Sequence, residues 1–156
     1  MFSVDLCLAG VVAESSDQVV SMLAQKLLAA GRVQPTFERA AIAREKRSPT
    51  GLPFPGQGVA MPHAEPEHVI APAVAIAALA KPVSFRQMGA PGIKLGVSLV
   101  VMPALTAKEQ AAGELSRLVG ALQDEALRRA LCEAPTGDAM YATLVRQLGM
   151  GRVPPT

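Results

Sequence analysis

The chain's two histidines stand five positions apart in one stretch, Gly58-Val59-Ala60-Met61-Pro62-His63-Ala64-Glu65-Pro66-Glu67-His68. Imidazole is the side chain best suited to act as a nucleophile or proton carrier near neutral pH. A run of small apolar residues that stops at Pro-His predicts a buried strand delivering His63 to a surface. A histidine after a strand can equally be a hydrogen-bonded structural residue, and Glu65, Glu67 and His68 can form no more than a polar turn. His63-Ala64-Glu65 also matches half of a zinc deaminase signature. Its Pro-Cys-x-x-Cys half is missing, and Cys7 and Cys132 lack the spacing to supply it. The His-Glu-x-x-His pattern of zinc proteases is absent too. A metal-dependent hydrolase or deaminase using His63 and Glu65 is therefore the weaker chemical reading, and no metal site is expected.

The elements that must hold His63 are legible on both sides of it. Val4 to Leu8 alternates and predicts a short first strand. Ser15 or Ser16 can cap a helix that turns Val19, Val20, Leu23, Leu27 and Leu28 inward and stops at Gly31. Thr36 is a cap for a second helix carrying Phe37, Ala40 and Ala41, with Arg44, Lys46 and Arg47 near its end, where cations suit the helix dipole. Ser48 to Gly58 is rich in Pro and Gly and predicts a stiff loop. Val59 to Met61 and Val74 to Leu79 predict buried strands, the second ended by Lys81-Pro82. Ile93 to Met102 predicts the longest strand. Thr106-Ala107-Lys108-Glu109 has the form of a capping box, with Leu115, Leu118, Val119 and Leu122 following at helical spacing. Asp124 can cap a short helix with Leu127, Ala130 and Leu131. Thr136 or Gly137 opens the last helix, with Met140, Leu144, Val145 and Leu148 inward. The expected fold is a single α/β domain over 1–150, a mixed central sheet sandwiched by helices, with 151–156 as a flexible tail.

Composition narrows the function further. Half of the 156 residues are hydrophobic, so a sizeable core can form without tryptophan. A net charge of +2, with no Lys/Arg block, gives no nucleic-acid footprint. Cys7 and Cys132 read as buried free thiols in a reducing compartment. The apolar runs are too short or too interrupted to span a bilayer, and a targeting segment is not visible, so the expectation is a cytoplasmic protein.

Taken together, Arg44-Glu45-Lys46-Arg47-Ser48-Pro49-Thr50-Gly51 and Gly58-Val59-Ala60-Met61-Pro62-His63 resemble the mannitol/fructose-type IIA components of the bacterial sugar phosphotransferase system (PTS). His63-Ala64-Glu65-Pro66-Glu67-His68-Val69 is closer still to the galactitol-type branch. Lys81-Pro82-Val83-Ser84-Phe85 and Gln123-Asp124-Glu125 also fit the family pattern, and the resemblance runs from about Val4 to Leu148. It implies a phosphoryl carrier. The family's active histidine falls on His63, which would accept phosphate from the phosphocarrier protein HPr. A IIB component would then receive it, for uptake and phosphorylation of a sugar or sugar alcohol (galactitol-like) through a membrane IIC partner. The family's phosphate-facing arginine falls on Arg44. Thr50 is a candidate hydrogen-bond donor to the phosphoryl group, and His68 a candidate second imidazole. No metal or organic cofactor is implied.

One departure stands out. Some mannitol-type members place a second active-site histidine at the start of the helix after the long strand, where this chain reads Thr106-Ala107-Lys108-Glu109-Gln110-Ala111. His68, Gln110 or Lys108 are the candidates to replace it; the alternative is a site that runs without that help. A regulatory, nitrogen-type IIA paralogue, signalling by its phosphorylation state, is the alternative within the same family. Partner docking is expected on an apolar patch around His63. Pro53-Phe54-Pro55 and Met61 are its candidate contacts, although Phe54 can instead plug the core.

Overall fold

Successive side chains of a strand point to opposite faces. In the computed structural model, which describes residues 2–107 and 113–149, two long central strands bury both over their paired halves, residues 73–78 against 99–104. The two strands are β3 (Ala73–Gln87) and β4 (Ala90–Ala104). Ala73, Ala75 and Ala77 pack on one face with Leu23, Leu27 and Phe37. Val74, Ile76 and Ala78 pack on the other with Leu118, Leu131, Met140 and Leu144. The first set of partners comes from α1 (Ser16–Ala29) and α2 (Phe37–Arg47). The second comes from α3 (Gly113–Ala121), α4 (Glu125–Glu133) and α5 (Gly137–Leu148). Two hydrophobic cores therefore sandwich one sheet, as the sequence led us to expect.

That sheet has four strands in the order β1-β3-β4-β2, with β1 at Cys7–Val11 and β2 at Gly58–Ala60. β1 runs parallel to β3, β2 runs parallel to β4, and β3 and β4 are antiparallel, so the sheet is mixed. Small residues seat β2: a Cβ on Gly58 would collide with the carbonyl oxygen of Gly96. The three caps sit where the sequence put them. Ser15 Oγ accepts from Gln18 N, Asp124 Oδ1 from Ala126 N, and Thr136 Oγ1 from Ala139 N.

Four local expectations need correction. Val4–Leu6 is a 3₁₀ turn and the strand begins at Cys7, where pairing with Ile76 starts; five alternating residues do not distinguish a turn from a strand. Leu28 is 41% exposed, because the buried stripe of α1 closes at Leu27, one residue round the helix. Thr36 takes the cap position, but its side chain makes no capping bond and points to His68 instead.

The largest correction concerns β3, which does not stop at Lys81-Pro82. The ladder slips between Ala78 and Val83, and that irregularity absorbs the proline that a regular central strand rejects. Beyond it Val83 and Phe85 turn inward while Ser84 and Arg86 face solvent. A hairpin turn at Met88-Gly89, with Gly89 at φ +76°, then leads into β4.

Cys7 and Cys132 are both free. Burial, with Asp5 adding repulsion, pushes the Cys7 thiol up to about 12. Burial and Glu133 raise Cys132 as well, against the pull of Arg128. Neither has the environment of a reactive thiolate. No helix among the described residues is long and apolar enough to cross a membrane. Lys108, Glu109 and Gln110, and the tail at 151–156, lie outside the described residues.

Candidate functional site

Strand β2 ends at Ala60, and the next three residues carry the chain to the half-buried His63. His63 Nδ1 lies 2.9 Å from the carbonyl oxygen of Met61. A carbonyl can only accept, so Nδ1 must carry the ring proton in this contact, and the lone pair is then on Nε2. The backbone beside the histidine thus selects the tautomer that leaves Nε2 as the nucleophilic nitrogen.

Met61 is itself held. Its N–H donates to Thr50 Oγ1 at 3.0 Å. The Thr50 hydroxyl donates to Glu45 Oε1 at 2.8 Å, and the Thr50 N–H donates to Glu45 Oε2 at 2.9 Å. A buried carboxylate at the end of α2 therefore anchors the loop that anchors Met61. Burial pushes the Glu45 carboxyl up, and its bonds from Thr50, then the charge of Arg44, draw it back down. An acid raised above its unfolded value adds stability below that value and loses it as pH rises through the folded one. Burial makes the charged form of Glu45 costly to the fold, and the Thr50 bonds offset part of that cost.

The Thr50 hydroxyl proton is committed to Glu45. This favours a positioning role over donation to a ligand, although Thr50 does line the cleft. Thr50→Val would leave a Glu45 oxygen and the Met61 N–H without their partner. We expect a loss of about 1–3 kcal/mol in urea unfolding, the cost of unsatisfied buried polar groups.

His63 opens into a cleft of about 390 Å³ whose walls are mainly apolar. Among the described residues, Arg44 from α2 and Glu65 from the segment after His63 supply its charged groups. Met88 from the hairpin turn, Pro103 and Leu105 from the end of β4 and beyond, and Leu115 from α3 complete the rim with Met61. Hairpin tip and far end of β4 line one cleft, so the hairpin curls over the site. Two backbone bonds fix the tip to the loop: Gly51 N to Arg86 O at 3.0 Å and Met88 N to Gly51 O at 2.8 Å. Gly51 is needed there, because a Cβ would press on the Arg86 carbonyl.

Arg44 Nη1 donates to both oxygens of Glu65, at 3.1 and 3.2 Å. Arg44 Nε is buried and finds no acceptor among the described residues. Sequence reasoning placed His63 and Arg44 together, and the fold brings both to one cleft. It missed that Glu65 is the partner of Arg44. Only the position of Glu65, two residues after His63, hinted at it.

His68 does not line the cleft. It closes a 3₁₀ turn, Pro66–His68, and its Nδ1 is hydrogen-bonded to Thr36 Oγ1 at 2.8 Å. That bond ties the turn to the start of α2. Phe54 is half-buried against the second core with the Arg128 guanidinium 4.9 Å above its ring. Arg128 also donates to Leu122 O, Gln123 O and Pro55 O, so it staples the Pro-rich loop to α4. Phe54 thus packs against the core and stays partly exposed. Among the described residues, no three His, Cys, Asp or Glu side chains converge as metal ligands.

Comparison with known proteins gives a matching family and similar folds. Residues 1–147 match the family model for the phosphoenolpyruvate-dependent sugar phosphotransferase system, EIIA 2. The chain is 30% identical over 135 residues to the 2-O-alpha-mannosyl-D-glycerate-specific EIIABC component of Escherichia coli, covering 83% of this chain but 20% of that longer protein. It is 32% identical over 130 residues to a nitrogen regulatory protein of Pseudomonas aeruginosa, covering 83% of this chain and 79% of the relative. To the galactitol-specific EIIA component of E. coli it is 28% identical over 127 residues, covering 81% and 84%. In fold it is similar to the E. coli IIA mannitol protein solved in complex with phosphorylated IIB mannitol. That match has a TM-score of 0.74 at 20% identity, covering 94% of this chain and all of the other.

Proposed function

We propose, from the premise that the chain belongs to the EIIA 2 family of the phosphoenolpyruvate-dependent sugar phosphotransferase system, that it carries a phosphoryl group on His63 Nε2. The observation behind this reading is the bond from His63 Nδ1 to the Met61 carbonyl inside a cleft shared with Arg44. In the step, Nε2 attacks the phosphorus of a phosphohistidine on HPr. The new N–P bond forms as the old one breaks, and the electron pair returns to the donor's ring nitrogen. The proton on His63 Nδ1 stays where it is. The ring becomes cationic, and the Met61 carbonyl already faces the N–H that gains charge. The transferring group spreads negative charge over three oxygens, so positioning and electrostatics dominate. A guanidinium on the cleft wall meets that need. The same ring then surrenders the group to a IIB component. The mannitol relative's complex with phosphorylated IIB supports that assignment. On this reading the site works in the cytoplasm and reaches a membrane IIC through IIB.

For cargo, the His63-to-Val69 run and the galactitol relative favour delivery to a galactitol-type IIB. The nitrogen regulatory relative supports a second reading, in which the phosphorylation state is itself the signal. Incubation with phosphoenolpyruvate, the general PTS enzyme and HPr, followed by galactitol-type IIB, separates the two. The transport reading expects the label on His63 to pass to IIB within seconds. Label that forms but stays on His63 when IIB is added supports the regulatory reading, and no label on His63 refutes both.

A further inference from the structure

Within the cleft, the phosphate-facing arginine is already occupied by a carboxylate of the same chain. Both bonds run from Arg44 Nη1 to the two oxygens of Glu65, and Arg47 Nη2 approaches Glu65 Oε1 at 4.0 Å. The pair is only partly exposed, at 31% for the Arg44 side chain and 43% for Glu65. Glu65 lies two residues beyond His63 and shares the cleft wall with it and with Arg44. A phosphoryl group on His63 Nε2 would bring about two negative charges, spread over three oxygens, to that wall. A carboxylate and a phosphoryl group cannot both hold one guanidinium without mutual repulsion.

We propose that Glu65 is a resident anion that competes with the phosphoryl group for Arg44. It favours the empty carrier and raises the tendency of the loaded one to give its phosphoryl group away. The inference rests on the reading of His63 as the phosphoryl acceptor. Glu65 forms no bond to phosphorus and takes no proton; it acts through Arg44. It stabilises the empty state by neutralising the arginine, and it weakens the loaded state by repulsion. Both effects move the exchange in one direction. A carrier standing between a donor and an acceptor benefits from this, because a tightly held phosphoryl group would not be passed on.

The test is the equilibrium of phosphoryl exchange with HPr, measured for the wild type and for Glu65→Gln. Removing the charge should shift the ratio of loaded to empty protein upward by about two- to fivefold, the range expected for a partly exposed ion pair. Transfer onward to IIB should slow. Glu67→Gln removes an equal charge two residues away, on an exposed side chain that makes no ion pair among the described residues, and should leave the ratio unchanged. A ratio that is unmoved or lowered in Glu65→Gln would show that Glu65 merely holds Arg44 in place. An equal shift in Glu67→Gln would assign the effect to the general field. Either result overturns this inference while the reading of His63 stands. A wild type that takes no label on His63 overturns both.

Discussion

His63→Ala will take no phosphoryl group from HPr, with labelling reduced by at least about a thousandfold. The substitution removes the atom that forms the bond, so no neighbouring group can compensate. Its structural cost is small by comparison. Among the described residues the half-buried ring makes one bond, to the Met61 carbonyl, and losing such a bond costs about 0.5–1.5 kcal/mol. Circular dichroism and urea unfolding should therefore report a folded variant. His68 is the internal control. It is engaged with Thr36 outside the cleft, so His68→Ala should keep full labelling. Measured together by mass spectrometry, the two variants separate a specific acceptor from nonspecific histidine labelling.

Arg44→Lys should slow transfer from the phosphorylated protein to IIB by about ten- to a hundredfold with the fold intact. Lysine keeps the charge but loses the planar donor fork. A charge-assisted hydrogen bond contributes about 1.5–3 kcal/mol, which gives that range if it acts only in the transition state. Arg44 stands in the last turn of α2, where cations also suit the helix dipole. Were that its whole contribution, lysine would serve as well and single-turnover rates would equal those of the wild type.

How far the sequence disclosed this molecule depended on the range of each interaction. The strand end before His63 and the caps at Ser15, Asp124 and Thr136 are local patterns, and they appear where they were expected. Resemblance to a known family placed Arg44 beside His63, which spacing alone could not do. The hairpin beyond Pro82 was missed because a proline normally ends a central strand, and only the slipped ladder against β4 explains its survival. Glu65 and Arg44 pair across twenty-one positions, from a loop to a helix end. No periodicity predicts such a contact. Thr50 read as a loop hydroxyl first and a phosphate donor second, and the Glu45 carboxylate that claims its proton is buried by the fold itself.

The central claim is that the fold presents one particular nitrogen of His63. Long-range ¹H–¹⁵N correlation of the imidazole, recorded before and after loading from phosphoenolpyruvate, reads that atom directly. With Nδ1 donating to Met61, the empty protein should show a protonated Nδ1 and an unprotonated Nε2. Loading should move Nε2 to the shift of a phosphorylated nitrogen while Nδ1 keeps its proton. Phosphorylation at Nδ1, or on any residue other than His63, would contradict the account.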